Sequence, residues 1–133
     1  YGSQAVVFSL DLIKSENGYE IFSNSKRRFD KIFKVSDFLN KIKDIGIGEI
    51  LLNSVDRDGT MKGYDRDLIK DFCEKTQIPV IAAGGCGKME DCVEAIKLGA
   101  NAVAAGSIFY WVGESIMSVK NFMNKSGIKV RLI

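Results

Sequence analysis

The segment LLNSVDRDGTMKGYD, residues 51–65, decides the fold class, because it joins an apolar strand to a helix through a charged loop. Its opening run is short and mostly apolar, which is typical of a strand in a parallel sheet covered by helices. The chain then leaves the strand through Asp56, Arg57 and Asp58, although an ordinary turn needs only a glycine or an asparagine. We interpret the segment as a strand, a loop with a chemical role, and a helix over about 65–75.

One strand-and-helix unit precedes this segment. QAVVFSLDLI, residues 4–13, is apolar and rich in β-branched side chains, which predicts a buried strand that ends near Asp11. The polar stretch after it contains Asn17-Gly18, a turn signal that predicts a hairpin-like excursion. A helix is then predicted from Ser36, a typical N-cap residue, to Gly46. The apolar face of this helix comprises Phe38, Leu39, Ile42 and Ile45.

Two more units follow the segment. The strands are predicted in IPVIAAGG (78–85) and NAVAAGSIF (101–109), with helices over about 89–98 and 114–125. Four strand-and-helix repeats, without a G-x-G-x-x-G fingerprint after the first strand, favour a barrel over a dinucleotide-binding fold. The predicted fold class is α/β, with four βα units that make half of a (β/α)8 barrel.

All 133 residues are expected to form a single domain, because a chain of this length with 46% apolar residues can bury one core. Half a barrel, however, leaves two sheet edges and the inner faces of its strands uncovered. The chain also begins with a tyrosine and enters a strand almost at once. We therefore expect a fragment of a longer barrel, and one that self-associates.

Composition argues against several classes of function. The net charge is only +2, from 19 basic and 17 acidic residues, which is too small to favour a nucleic acid or an anionic membrane as partner. No apolar run approaches the ~20 residues that span a bilayer, and no signal peptide is evident, so a cytoplasmic protein is expected. The three cysteines form no C-x-x-C pair, which indicates neither a disulfide framework nor a zinc site. The absence of histidine leaves acid–base chemistry to carboxylates, lysine or tyrosine.

The candidate ligand-binding loops follow the carboxyl ends of the predicted strands, where β/α barrels hold their ligands. Gly84 and Gly85 follow one strand, and Gly106 and Ser107 follow the next. Glycines allow backbone N–H groups to approach an anion, and two such loops on consecutive strands resemble the phosphate site of barrels. A single glycine after a strand is more often part of a turn, but the pair of loops favours phosphate binding.

Three carboxylates are expected at the same end of the sheet. Asp11, Asp56 and Asp58 could each be a simple cap or turn former, which is the usual role of an aspartate after a strand. Their positions on neighbouring strands, beside a candidate phosphate site, favour acid–base chemistry for Asp11. Glu49 differs, because it stands where a strand begins, at the opposite end. The aromatic residues 109–111 are expected to pack behind the last strand.

Three segments together resemble the cyclase subunit of imidazole glycerol phosphate synthase, a (β/α)8 barrel of histidine biosynthesis. They are GEILLNSVDRDGTMKGYD, IPVIAAGGCGKMED and GANAVAAGSIF. The resemblance runs from YGSQAVV to GIKVRLI and corresponds to the second, C-terminal half of that barrel. It implies a lyase that uses ammonia from a glutaminase partner to convert a ribulosyl aminoimidazole carboxamide nucleotide, a bisphosphate, into imidazole glycerol phosphate, and it implies no cofactor or metal.

The resemblance also implies roles for single residues. Asp11 matches the second-half member of an acid–base pair of aspartates, whose other member belongs to the first half of the barrel. Asp58 would support the substrate, and Glu49 would belong to a charged ring that gates the entry of ammonia. One terminal phosphate would bind at Gly59, Gly85, Gly106 and Ser107. Ser25 lies near a serine of the family and would also contact the substrate, whereas Gly84 is predicted as a binding residue from the glycine loop itself.

Two departures from the family leave other interpretations open. SNSKRRFDKIF stands where the family has a loop with glycine and threonine, and NSVDRDGTMKGYD and AAGSIFYWVGES are closer to a paralogue group that supplies ammonia for an amidino sugar of surface polysaccharides. The aminoimidazole carboxamide isomerase of the histidine pathway shares the D-G-T loop, although RDGTMKGYD and VRLI favour the cyclase. A non-catalytic, phosphate-binding half-barrel is the remaining alternative, because one of the two aspartates is missing and the fragment alone is expected to be inactive.

Overall fold

The structure is a computed structural model that describes residues 2–22, 35–42 and 45–132. Its sheet consists of β1 (Val7–Ser15), β2 (Gly18–Ile21), β3 (Glu49–Ser54), β4 (Val80–Ala83) and β5 (Ala102–Val103). The strands lie in the order β2-β1-β3-β4-β5. The pairs β1–β3, β3–β4 and β4–β5 are parallel, whereas β2 folds back antiparallel on β1.

Helices alternate with the parallel strands. The α-helices of the described residues are α1 (Val35–Ile42), α2 (Arg66–Lys75), α3 (Met89–Lys97) and α4 (Ile116–Lys125). A short 3-10 turn (Ser3–Ala5) precedes β1, and a π-helix (Ile108–Val112) follows β5. The alternation of parallel strands and helices confirms the predicted α/β class. Within the described ranges, no helix combines the length and the apolar character that a membrane crossing requires.

Strand β1 is longer than the sequence predicts. It continues past Asp11 to Ser15, and β2 folds back with Gly18 opposite Ser15, so the hairpin is confirmed and the predicted strand end near Asp11 is wrong. Asp11 nevertheless lies level with the carboxyl ends of the neighbouring strands. It is in register with Asn53 of β3, which is itself in register with Ala83, the last residue of β4.

One face of the sheet is covered by helices. Leu10 of β1 and Ile50 of β3 are buried in an apolar cluster with Phe72 of α2. A second cluster joins Ala82 of β4 to α3 and α4. Fully burying a large apolar side chain such as Phe72 stabilises the fold by about 1.5–3 kcal/mol. The opposite face of β1 and β3, which includes Asp11, is only partly buried and is therefore available to a ligand.

The helix starts agree with the sequence at α2 and differ at α1. Asp65 is the N-cap of α2, because its side chain accepts a hydrogen bond from the Leu68 N–H at 3.1 Å. Ser36, in contrast, is the second residue of α1 and not its N-cap. Ile45, predicted on the apolar face, lies beyond the helix and is 68% exposed. The apolar contacts of α1 are therefore made within Val35–Ile42.

The aromatic residues after β5 divide into two groups. Phe109 packs against the cluster of α3 and α4, as expected. Tyr110 and Trp111 are 83% and 74% exposed, so the expectation that they pack behind the last strand is wrong for both. Their rings contact each other edge to face, with centroids 5.4 Å apart. The exposed pair leaves an apolar surface directly after β5.

Candidate functional site

The open face of the sheet forms a concavity of about 300 Å³ at the carboxyl ends of its parallel strands. Asp11 of β1 and Asn53 of β3 line it from the strands, and Asp58 lines it from the loop after β3. Gly84 and Gly106 line it from the loops after β4 and β5. The structure thus brings together four residues that were predicted as site residues from four different segments of the sequence. They are Asp11, Asp58, Gly84 and Gly106.

The carboxylate of Asp11 is oriented by its neighbour on β3. Asn53 donates a hydrogen bond from Nδ2 to Asp11 Oδ1 at 3.0 Å, and both side chains are partly buried. A fixed carboxylate at a ligand-binding face can transfer protons to and from a bound molecule. The sequence analysis missed Asn53. The available signal was an amide among the mostly apolar residues of β3, one position before the strand end.

The charged loop after β3 uses two of its charges to fix its own shape. Asp56 Oδ2 accepts a hydrogen bond from the backbone N–H of Lys14 at 2.6 Å, which ties the loop to β1. Arg57 donates from Nη1 to the carbonyl of Lys62 at 3.3 Å, across the loop. Asp58 is exposed and faces the concavity, and so remains available to a ligand. The charged exit from the strand is therefore part of the site.

The two glycine loops and Asp58 enclose a second, smaller cavity of about 70 Å³. Gly85 must be glycine, because a Cβ there would lie 2.4 Å from the Gly63 carbonyl oxygen and its φ is +102°. Gly106 has no such constraint, since nothing lies within 4 Å of a Cβ at that position. The backbone N–H groups of Gly106 and Ser107 have no acceptor among the residues that the structure describes. They are free donors at the wall of this cavity.

Two further side chains hold the glycine loops in place, and the sequence analysis missed both. Asp91 of α3 accepts hydrogen bonds through Oδ2 from the N–H groups of Gly87 and Lys88, at 2.9 and 3.0 Å. Tyr64 donates from its hydroxyl to the carbonyl of Ala104 at 2.9 Å, which connects the loop after β3 to the end of β5. Burial raises the pKa of Tyr64, so it remains a neutral donor.

Two predicted residues, Glu49 and Gly59, lie apart from these cavities. Glu49 begins β3, on the same face as Asn53 but four residues earlier, which places it about 13 Å away along the strand. Gly59 is exposed in the charged loop and lines neither cavity. Ser25 lies outside the described residues. Across the described ranges, no three histidine, cysteine or acidic side chains meet in a group that could hold a metal ion.

This geometry defines a class of protein: an α/β half-barrel with a ligand site at the carboxyl ends of its strands, where carboxylates face backbone donors suited to an anion. A family model described as "Histidine biosynthesis protein" matches residues 1–113. The chain belongs to this family, which consists of TIM barrels, so the prediction of a half-barrel is confirmed.

The relatives with curated names agree with the family. The chain is 39% identical to the imidazole glycerol phosphate synthase subunit HisF of Pelodictyon phaeoclathratiforme over 133 residues, which are 99% of this chain and 53% of that protein. It is 41% identical to HisF of Clostridium botulinum, with the same coverage, and 39% identical to HisF of Thermotoga sp. strain RQ2, covering 52% of that protein. The chain therefore spans about half the length of the curated relatives that it matches.

Proposed function

We propose that this chain supplies the second half of the active site of an ammonia-using cyclase, the imidazole glycerol phosphate synthase reaction of its relatives. One observation carries the proposal: Asp58 lines both the concavity that contains Asp11 and the cavity formed by the glycine loops. A ligand with a phosphate in the small cavity would therefore extend past Asp58 to Asp11. This arrangement suits a phosphorylated substrate that undergoes proton transfer.

Asp11 is the proposed acid–base residue. The chain contains no histidine that could act as the acid or base instead. The orientation of the Asp11 carboxylate is fixed by the hydrogen bond from Asn53. The ring-closing reaction needs protons added to and removed from a substrate nitrogen and carbon, and a positioned carboxylate contributes about 10²–10⁴-fold to such steps. The second aspartate of the pair is proposed to come from the first half of the barrel.

The proposed phosphate site consists of free backbone donors. Gly106 and Ser107 present unpartnered N–H groups, and Gly85 approaches the same cavity from the neighbouring loop. Charge-assisted bonds from backbone N–H groups to phosphate oxygens are among the stronger hydrogen bonds in proteins. Gly59, Gly84 and Ser25 complete the proposed set of substrate contacts.

Glu49 is proposed to act at the opposite end of the barrel, where ammonia would enter from a glutaminase subunit. Its place on the inward face of β3, before Leu51 and Asn53, supports a route along the barrel axis. The partner, the bisphosphate substrate and a lyase-type reaction in the cytoplasm belong to this proposal, and no cofactor is needed.

The uncovered surfaces support a further part of the proposal, self-association of the chain by itself. Val7 is 51% exposed on the inner face of β1, and Trp111 and Ile116 are 74% and 63% exposed after β5. Exposed apolar side chains on the inner face of the sheet and after its last strand favour pairing with a second half-barrel.

The test is a turnover assay with the chain mixed with the first half of HisF from Clostridium botulinum, using the ribulosyl aminoimidazole carboxamide nucleotide and an ammonium salt. Ammonia-dependent formation of imidazole glycerol phosphate is expected from the mixture, and little from the chain alone. Isomerisation of the aminoaldose precursor without ammonia, or near-complete activity of the chain alone, would contradict the proposal.

A further inference from the structure

Two of the three cysteines lie side by side next to the candidate phosphate site, and only Cys86 lines its cavity. The Sγ atoms of Cys86 and Cys92 are 3.5 Å apart, and the two residues are only 3% and 1% exposed. Cys86 belongs to the glycine loop after β4, and Cys92 to the first turns of α3. Cys73 of α2 is a separate, half-buried thiol. The pair joins the loop to the helix that follows it.

The surroundings polarise this pair unequally. The two thiols share a hydrogen bond in which either sulfur can donate, and this contact lowers the pKa of Cys86 and raises that of Cys92. The thiolate is the reactive form of cysteine, so Cys86 is the nucleophile and Cys92 the resolving thiol.

A small reagent can reach Cys86 from the ligand side. Cys86 lines the cavity of about 70 Å³ that also includes Gly106 and Ser107. Cys92 does not line this cavity; it lines a separate cavity of about 560 Å³ that also includes Val119 of α4 and Ile128. A reagent that enters the small cavity therefore meets Cys86 and not Cys92.

We propose that Cys86 and Cys92 form a reversible disulfide when a hydroperoxide enters the phosphate cavity, and that this bond weakens the anion site. The Cys86 thiolate attacks the O–O bond of hydrogen peroxide, takes one oxygen as a sulfenic acid, and releases the other as water after protonation. Cys92 then attacks the sulfenic sulfur, which forms the S–S bond and releases a second water. Two thiols lose two electrons to the peroxide, and a dithiol reductant reverses the change.

The bond would disturb the phosphate site because the glycine loop has little room. A disulfide has an S–S distance of about 2.05 Å, so the sulfur atoms must approach by roughly 1.5 Å. Added Cβ atoms at Gly85 and Gly87 would lie 2.4 and 2.1 Å from the carbonyl oxygens of Gly63 and Met61, so the loop is packed directly on the loop after β3. A movement of Cys86 therefore shifts both loops, and hydrogen bonds weaken when donors are displaced or misaligned. This consequence rests on the proposed phosphate site, whereas the disulfide itself does not.

Peptide mapping of the whole 133-residue chain after hydrogen peroxide treatment tests the bond. A cross-link between the peptides of Cys86 and Cys92, with a loss of two hydrogens that a dithiol restores, is expected in the wild type and in the matched control Cys73→Ser. Cys92→Ser should instead accumulate a sulfenic acid on Cys86, and Cys86→Ser should show no intrachain cross-link. The absence of the cross-link in the wild type and in Cys73→Ser, or cross-links made mainly by Cys73, would overturn the proposal.

Titration with inorganic phosphate tests the consequence. The oxidised chain should bind phosphate at least several-fold more weakly than the reduced chain, and Cys92→Ser without peroxide should bind like the reduced wild type. Equal affinity in both redox states would refute the effect on the site. A reduced chain that binds no phosphate would instead refute the phosphate site under the proposed function, while a mapped cross-link would still establish the thiol pair.

Discussion

A glycine after a strand can be needed for a turn or for the close approach of a ligand to the backbone. Replacing Gly106 with alanine separates these two explanations. Gly106 has no positive φ, and no atom lies within 4 Å of a Cβ built there. The added methyl group therefore meets no protein atom, and the free energy of unfolding should change by no more than about 0.5 kcal/mol. If Gly106 served only in a turn, its replacement by alanine would leave phosphate binding unchanged.

The ligand explanation predicts a large loss of binding. Gly106 lines both cavities, and its N–H is free to bond an anion, so a methyl group would hold a phosphate away from this donor. A hydrogen bond to a charged group is worth about 1.5–3 kcal/mol. Since each 1.4 kcal/mol is a tenfold change in affinity, Gly106→Ala should weaken phosphate binding by about 10- to 100-fold.

Isothermal titration with inorganic phosphate and urea unfolding measure the two quantities on the same protein. Gly2→Ala is the matched control, because its Cβ also meets nothing within 4 Å and it lies far along the chain from the glycine loops. Gly85→Ala is the opposite control, and should lose stability because its Cβ overlaps the Gly63 carbonyl oxygen. Unchanged phosphate affinity in Gly106→Ala, or a loss of stability as large as that of Gly85→Ala, would contradict the role of Gly106 in anion binding.

Three further substitutions test other parts of the structure. Asp11→Asn should lower ammonia-dependent turnover of the reconstituted barrel by about two orders of magnitude with phosphate affinity unchanged, and a variant that keeps most of its kcat would contradict the acid–base role. Tyr19→Phe should cost about 1 kcal/mol in urea unfolding, because the 2.9 Å bond to Asp65 is lost. Burial is the main cause, and Asp65 the second, that raises the pKa of Tyr19. Ionisation of Tyr19 in the unfolded chain should therefore lower wild-type stability above about pH 10, and this fall should be less steep in Tyr19→Phe. Identical pH profiles of the two proteins would exclude this cause. Ser54→Ala should leave stability equal or higher, since the buried Ser54 hydroxyl has no partner among the described residues; a clear loss would reveal one.

The elements that the sequence predicts well are those whose signals are local. The start of α2 near Asp65 and the strand before it depend on neighbouring residues alone, and both are found where the sequence predicts them. Apolar runs followed by glycine loops likewise fix the order of strands, because parallel strands need helical connections. The location of the candidate site at one end of the sheet follows from that order.

The elements that the sequence predicts poorly depend on contacts between distant segments. The true end of β1 at Ser15 results from pairing with β2, and the role of Asn53 results from its register with Asp11. Tyr110 and Trp111 are apolar enough to suggest burial, yet the π-helix leaves both exposed. Neither register nor the direction of a side chain after an irregular helix can be read from local composition.

Besides contributing Asp11, the hairpin of β1 and β2 supports the charged loop after β3. At one end of the charged loop, Asp56 accepts the N–H of Lys14 of β1; at the other end, Asp65 accepts the hydroxyl of Tyr19 of β2. The hairpin therefore holds both ends of the loop that presents Asp58. The extension of β1 beyond Asp11 creates this hairpin. The residues of β1 that follow the predicted strand end therefore help to fix the position of Asp58, the carboxylate that faces the ligand. The additional length of β1 is thus a structural requirement of the site.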